Sequence, residues 1–327
     1  MTSILTNAAA MAALQTLRTI DNNLETAQRR VSSGYRVETA ADNAGYWSIA
    51  TTMRSDNSAL STVSDALGLG AATVDTAYTA LDNVIDVMST IKAKLVAASE
   101  PGVDKNKINE EMKQLKNQLT SSAQSASFSG ENWLYNTTAG ALGVKQVVSS
   151  FVRGADGSVK VTTLDFDTQA SVLIDIGDSS RGFLTKAIDA DSLVNPSTGT
   201  ARTYYLLNMG VTAPAAGAPP VGATEIAIDS GTTPEVLGDM ISVIDDLMRQ
   251  LTDSAATLGA ITSRIEMQDS FVNNLMDVID KGVGRLVDAD LNEESTRLKA
   301  LQTQQQLGIQ ALSIANSNAE NILMLFK

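Results

Sequence analysis

Apolar residues recur along this chain at alternating steps of three and four over unusually long distances. Val63, Leu67, Gly70, Val74, Ala77, Leu81, Val84, Met88, Ile91, Leu95 and Ala98 follow one another in this way, and Met53 and Leu60 extend the series backwards. This is the spacing of a coiled-coil seam, and it predicts one helix over about residues 45–98. Pro101-Gly102 ends it, and Asp104 is placed to cap a further helix carrying Ile108, Met112, Leu115 and Leu119. The pattern returns at Ile241, Ile244, Met248, Leu251, Ala255, Leu258, Thr262, Ile265, Asp269, Val272, Met276 and Ile279, with Thr262 and Asp269 as its only polar members. It appears again at Ala13, Leu17, Ile20, Leu24, Ala27 and Val31, and at Leu298, Leu301, Gln305, Gly308, Leu312, Ala315, Ala319, Ile322 and Phe326. Both ends of the sequence are therefore expected to be helical.

A helix over residues 45–98 would run roughly 80 Å at about 1.5 Å per residue. A compact globule of this length has a radius of gyration near 20 Å, so the pattern predicts a rod. Because the stripes lie at both ends, the simplest arrangement pairs N-terminal with C-terminal helices and leaves the middle as an insertion. That middle, about residues 141–234, reads differently. Five of the six prolines fall between Pro196 and Pro234, and short alternating runs replace the heptads. Val147 to Val152 and Val159 to Thr163 read as a hairpin turning at Asp156-Gly157. Ser171 to Ile176, Tyr204 to Asn208 and Glu225 to Ile228 are further strand candidates, and Pro214 to Pro220 is a loop. The fold class expected is α+β: an elongated antiparallel helical bundle built from both termini, with an inserted β-rich outer domain.

Composition narrows the chemistry. The 327 residues include no Cys and no His, 24 basic and 37 acidic side chains, and 4% aromatics. Without Cys there is no disulfide, thiol nucleophile or thiolate metal site, and without His the commonest general base and metal ligand are missing. A formal charge of −13 argues against nucleic acid or an anionic membrane as the main partner. No stretch approaches the roughly 18 to 20 apolar residues of a membrane span. The opening MTSILTNAAAMAALQTLR has no basic residue before its apolar part, so a cleaved secretory signal is not expected.

The remaining motifs have plain readings. Gly68-Leu69-Gly70 follows no strand, and Gly70 sits in the seam, where it suits close helix packing rather than nucleotide binding. Glu110-Glu111 and Glu293-Glu294 read as solvated charges. Asp245-Asp246, and Asp288 with Asp290, lack the ligand spacing of a calcium loop. Asn136-Thr137-Thr138 fits a glycosylation sequon of low specificity. No cofactor or metal is expected. The run Ile309 to Phe326 is different. Ile309, Leu312, Ile314, Ile322, Leu323, Leu325 and Phe326 spread around a helix, which must then be buried on most sides. One N-terminal helix cannot cover it, so further copies of the protein are expected to do so.

Two separated segments resemble the signatures of one family. Ala27-Gln28-Arg29-Arg30-Val31-Ser32-Ser33-Gly34-Tyr35-Arg36-Val37, followed by Ala40-Ala41-Asp42-Asn43-Ala44-Gly45, resembles the N-terminal signature of bacterial flagellins. Gln306 to Asn316, ending near Leu323-Met324-Leu325-Phe326, resembles their C-terminal signature, and Ala126 to Leu134 the turn into their variable domain. Tyr46 to Asn57 looks most like flagellins of rhizobial-type α-proteobacteria. The likeness covers about residues 1–140 and 236–327.

The resemblance implies a non-enzymatic subunit, exported through the flagellar type III channel and polymerised outside the cell into the filament that drives swimming. Residues 1–44 and 286–327 would form the inner core, 45–140 and 236–285 the outer tube, and 141–235 the variable surface domain. Leu17, Leu24, Val31, Ile309, Leu312, Ile314, Ile322, Leu323, Leu325 and Phe326 would pack that core. The partners implied are further copies, alone or mixed with sibling flagellins, an export chaperone, and the cap and hook-associated proteins. In the family the termini are disordered in the free subunit. Arg29 to Gly45, with Arg30, Ser32, Ser33, Gly34, Asp42 and Asn43, is expected to be a non-helical connector between layers, since Gly34 can adopt positive φ. Flagellins detected by the animal flagellin receptor carry Arg, Leu and Glu where this protein has Lys92, Val96 and Glu111, so only the Glu is kept. A hook–filament junction protein shares the terminal pattern and is the alternative reading. A chemoreceptor hairpin is opposed by the insertion and the missing membrane span. An enzyme in the middle segment would need paired carboxylates, and none stands out there.

Overall fold

The computed structural model describes residues 7–138, 140–193, 201–208 and 222–325, with side chains up to residue 317 at the C-terminal end. In order along the sequence the elements are α1 (Ala8–Ser33), α2 (Ala44–Ala97), α3 (Lys105–Ser125), β1 (Ser127–Phe128), β2 (Glu131–Asn132), β3 (Tyr135–Asn136), β4 (Val144–Arg153), β5 (Val159–Asp167), β6 (Ile174–Asp175), β7 (Ile188–Asp189), β8 (Thr203–Tyr205), β9 (Thr224–Glu225), α4 (Pro234–Val287) and α5 (Leu291–Leu325). They form two compact units, Met1–Ser58 with Leu275–Lys327, and Ala59–Asn274.

In the unit Ala59–Asn274, every seam position of α2 from Val63 to Ala98 is buried. Antiparallel α4 covers it, with Ser64 Oγ donating to Asp269 at 2.7 Å and Thr262 Oγ1 to Asp75 at 3.4 Å. These contacts satisfy the two polar members of the α4 stripe. Ile244, Leu251, Leu258, Ile265 and Val272 are buried, while their interleaved neighbours Met248 and Ala255 are only half-buried. Antiparallel α3 also lies on α2, tied by Ser122 Oγ to Asn83 at 2.9 Å and by the Lys94–Glu111 ion pair. Asp104 caps α3 as expected, accepting from Asn106 N at 3.1 Å. The expected stripe of α3 is corrected at one place. Leu115 is half-buried, and Lys116 takes the interior position with Ile108, Met112, Leu119 and Ala123.

The backbone leaves α3 through a tight hairpin, β1 against β2, whose corner residues Ser129 and Gly130 have φ of 52° and 86°. Asn132 Nδ2 donates to the end carbonyls of α3, Ala123 at 2.8 Å and Gln124 at 3.3 Å, and its amide so closes the C-terminus of that helix. The predicted hairpin is β4 and β5, longer than expected at both ends and bulged between Val148 and Ser150. It turns where Asp156 Oδ1 accepts from Ser158 N at 3.0 Å and Gly157 has φ of 82°. Trp133 stacks on Phe166 at 5.1 Å, and the Val147 side chain fits against Gly70, where a Cβ would overlap it. Gly70 thus permits close packing, as expected, but of a strand rather than a helix.

The insertion carries strands, as expected, but beyond the hairpin they are shorter than the alternation suggests. Among the described residues the other strand candidates shrink to two or three residues: β6 parallel to β3, and β7, β8 and β9 in one small sheet. The cause is where the backbone groups go. Leu173 and Ile174 N–H share the Leu134 carbonyl, Ser171 Oγ holds the Trp133 carbonyl, and Ile228 N–H donates to Asn109 Oδ1. The expected loop Pro214 to Pro220 lies outside the described residues.

In the other unit, α1 and α5 pair antiparallel around Ile20, Ala27 and Leu301, with Leu24 and Leu298 beside them. Val37, Ala50, Val283 and Val287 form a second small core, joined by Met53, Ile279 and Leu286.

Gly68 and Gly70 make opposite predictions. Gly68 has open space around its Cβ position, so Gly68→Ala should stabilise the subunit by about 0.5–1 kcal/mol through helix propensity. Gly70→Ala should destabilise it by about 1–2 kcal/mol, because overpacking costs more than propensity returns. Denaturant unfolding of the monomer measures both, and adding Val147→Ala should recover most of the Gly70→Ala loss.

Candidate assembly surfaces

The junction between α1 and α2 is built from backbone groups that complete the ends of four helices. α1 runs through Arg30, Ser32 and Ser33, so the expectation that these residues are non-helical is corrected. They form the last turn, which Gly34 closes with φ of 76° and its N–H on the Arg30 carbonyl at 2.9 Å. The connector proper is residues 34–43. Arg36 and Val37 N–H both donate to the Val287 carbonyl, at 2.7 and 3.1 Å, and the Arg36 guanidinium reaches the Leu286 carbonyl at 3.0 Å. These bonds occupy carbonyls that the C-terminus of α4 leaves open. In return, Ala289 N–H donates to the Gly34 carbonyl at 2.9 Å, and Tyr35 pairs with Asp288.

Asp42 and Asn43, both singled out in the sequence, each organise a turn. Asp42 Oδ2 accepts from Thr39 N at 2.9 Å, Thr39 Oγ1 at 3.0 Å and Glu38 N at 3.2 Å. The Thr39 bonds hold this carboxyl below the usual Asp range. Asn43 Oδ1 accepts from Tyr46 N at 3.1 Å at the start of α2. Near the other terminus, Asp290 Oδ1 accepts from Asn292 N at 2.9 Å at the start of α5.

One carboxylate departs from its expected role. Glu293 is exposed, but Glu294 is buried, and its Oε1 meets Arg30 Nη1 at 3.0 Å while Oε2 lies buried. Its partner is 264 residues away, so no local pattern marks it. Further along, Gln305 Nε2 donates to Asp21 at 2.7 Å and Asn7 Nδ2 to the Ala315 carbonyl at 2.9 Å. Together with Gly308 facing Leu17, these contacts fix the register of α1 on α5.

The sequence-predicted packing residues fall into two sets. Leu17, Leu24, Val31 and Leu312 are half-buried. Ile309 and Ile314 are 55% and 62% exposed, and Met11, Leu14 and Leu307 are exposed as well. Like Ile309 and Ile314, those last three lie off the heptad positions. The side chains of Ile322, Leu323 and Leu325, and all of Phe326, lie outside the described residues.

Elsewhere, Lys92 is paired with Asp245 and Glu111 with Lys94, while Val96 is exposed. The Asn136 of the sequon is buried, donating to Asp175 at 2.9 Å and the Gly140 carbonyl at 2.7 Å, so the folded protein offers it to no glycan. A groove of about 650 Å³ between α2 and α3 is lined by small polar side chains such as Thr79, Ser121 and Ser125. Among the described residues no group of acidic side chains is placed to hold a metal, and no helix is long and apolar enough to cross a membrane.

Comparison with known proteins agrees with this architecture. The family model for the bacterial flagellin N-terminal helical region matches residues 4–139, and that for the C-terminal helical region matches residues 241–326. Flagellin C of Rhizobium meliloti (strain 1021) is 74% identical over 327 residues, covering all of both proteins. Flagellin D of Rhizobium meliloti is 48% identical, and a flagellin of Brucella melitensis 41%, again over the whole of each sequence. With both helical regions matched, and the paired termini and interposed segment in the corresponding order, this chain belongs to the bacterial flagellin family.

Proposed function

We propose that this protein is a structural subunit of the flagellar filament and that it polymerises through the open side of the α1–α5 pair. One observation carries the reading: Met11, Leu14, Leu307, Ile309 and Ile314 stand exposed on two helices that already cover each other around Ile20, Ala27 and Leu301. Burying a side chain of this size is worth about 1.5–3 kcal/mol, so a surface of five favours association strongly. The contacts of a polar filament are heterologous, so this side meets a different surface of the next copy and the assembly propagates. On this reading residues 1–44 and 286–327 line the inner core, 45–140 and 236–285 form the outer tube, and 141–235 face outward. The connector, with its mutual caps, joins inner to outer layer. Siblings of the same family can share the filament, and an export chaperone, the cap and the hook-associated proteins are the further partners. The subunit works extracellularly and without enzymatic chemistry. Absence of Cys suits passage of an unfolded polypeptide through a narrow export channel. With Lys92 and Val96 standing where detected flagellins carry Arg and Leu, and only Glu111 kept, recognition by the animal flagellin receptor is not expected.

Acid-dissociated monomer returned to neutral pH with short filament seeds should grow long tubular filaments by electron microscopy. The double variant Ile309→Asp/Ile314→Asp should remain monomeric and keep the thermal transition of the Ala59–Asn274 unit. Monomer that persists with seeds, and grows only with sibling flagellins, would favour an obligate mixed filament. Spillage of monomers by a deletion strain with an otherwise normal filament would favour the junction protein.

Gly34→Val should shorten filaments and slow swimming, because a β-branched residue at φ of 76° costs about 1–2 kcal/mol. Gly34→Asn, which tolerates that conformation, should retain most of both.

Acid should loosen the connector. The folded pKa of Asp42 lies below its unfolded value, so its contribution is complete above about pH 4 and fades as pH falls through the folded pKa. Hydrogen exchange of residues 34–43 at pH 7 and pH 3 should show this loss in the wild type and a smaller one in Asp42→Asn.

A further inference from the structure

The segment between β9 and α4 is held against α3 by its backbone atoms as well as by its buried side chains Ile226 and Ile228. Lys105, Asn109, Met112 and Lys116 follow one another at steps of 4, 3 and 4, so they form one line along α3. Three of them reach backbone atoms of the returning segment. Lys105 Nζ donates to the Thr232 carbonyl at 2.6 Å, Asn109 Oδ1 accepts from Ile228 N at 3.2 Å, and Lys116 Nζ donates to the Ile226 carbonyl at 2.5 Å. Met112 is fully buried, as are Ile226 and Ile228. The order is antiparallel: residues 232, 228 and 226 meet positions 105, 109 and 116.

Lys116 is costly to place there. It is 8% exposed, and burial pushes its ammonium below the ordinary Lys range, with Glu225 restoring only part. An apolar residue at this interior position would pack α3 without that cost, so the position is spent on holding a carbonyl. These same bonds explain why the strand candidate Glu225 to Ile228 goes no further: Ile226 N–H still donates to the Tyr205 carbonyl of β8 at 2.9 Å, but the Ile226 carbonyl and Ile228 N–H are taken by α3.

We propose that Lys105, Asn109 and Lys116 form a backbone clamp that fixes where the inserted segment returns to the helical bundle, and so where α4 begins, whatever the sequence of the insertion before it. Asp229 completes the device by accepting from Gly231 N and Thr232 Oγ1, both at 2.9 Å, in the turn before α4. Glu225 pairs with Lys116 at 2.7 Å, but it is half-buried and secondary.

Hydrogen exchange of the full-length monomer, read by mass spectrometry over residues 224–233 and over α2 residues 81–95, tests this. Lys116→Met should speed exchange of the segment about tenfold or more and leave the α2 peptide as protected as in the wild type. Glu225→Ala should stay within about threefold of the wild type, since it removes no backbone contact. Asn109→Ala, which loses only the Ile228 bond, provides a milder variant should Lys116→Met fail to fold, and should also speed the segment selectively. Unchanged exchange in the lysine and asparagine variants would overturn the clamp, as would loss spread equally over α2. A Glu225→Ala effect equal to that of Lys116→Met would overturn the backbone reading in favour of a simple ion pair.

Discussion

A helix that carries an apolar residue at every third and fourth position from Val63 to Ala98 has to be covered along that whole length, because each large side chain left in water forfeits about 1.5–3 kcal/mol. Most of the Ala59–Asn274 unit follows from this requirement. α4 covers one side and α3 the other, and the β4–β5 hairpin drops Val147 onto the one place where α2 has no Cβ in its seam. The insertion is therefore not simply appended to a stalk. Its first hairpin supplies part of the cover for α2, and its last residues are bound to α3 before α4 starts.

The polar residues that interrupt apolar stripes do the complementary work of choosing one arrangement among many. A seam of small and aliphatic residues would tolerate several registers, since neighbouring heptads are nearly equivalent. Thr262 and Asp269 face Asp75 and Ser64, and sliding α4 by one heptad would either set Asp269 toward Asp75 or leave Asp75 against Ala255. The α1–α5 pair has its own marker in Arg30 and Glu294, a half-exposed cation and a buried carboxylate whose separation would strand a charge. Such contacts add modestly to stability and strongly to uniqueness.

The same distinction separates what was legible in the sequence from what was not. Helices were legible because heptad spacing is a local property written repeatedly: α2 ends within a residue of where the pattern stops, and Asp104 caps α3 as its position suggested. Gly34 was legible as a break but not as the closing residue of α1, because Ser32 and Ser33 look like loop residues until their place in the last turn is known. The burial of Glu294 and Lys116 was illegible in principle, since each depends on a partner far along the sequence. Strands in the insertion were legible in place but not in length for a related reason: alternation says which side chains face inward, whereas pairing depends on where the N–H and C=O groups find partners, and here many find loop backbone, and two a side chain of α3, instead of a ladder. The assembly surface was half legible. Crowding of apolar residues at the C-terminal end suggests that α5 needs more cover than one helix gives, but only the structure shows that Ile309 and Ile314 are exposed while Leu312 is half-buried.

That exposure has an energetic consequence for the isolated subunit. Among the described side chains, the α1–α5 pair buries few apolar ones, Ile20, Ala27 and Leu301 at its centre and Ala10 nearer one end, against the ordering of two helices of 26 and 35 residues. Ordering costs about 1–2 kcal/mol per residue, met in long helices largely by their own hydrogen bonds and only marginally so in water without tertiary contacts. The pair is thus the least self-sufficient part of the fold, in contrast to the fully covered seam of α2. A filament subunit gains from this imbalance. If the terminal helices were fully satisfied within one molecule, they would have little to gain from a neighbour; held in register by Arg30–Glu294 and Asp21–Gln305 yet exposed at Ile309 and Ile314, they leave apolar area that further copies would bury in the assembly proposed above.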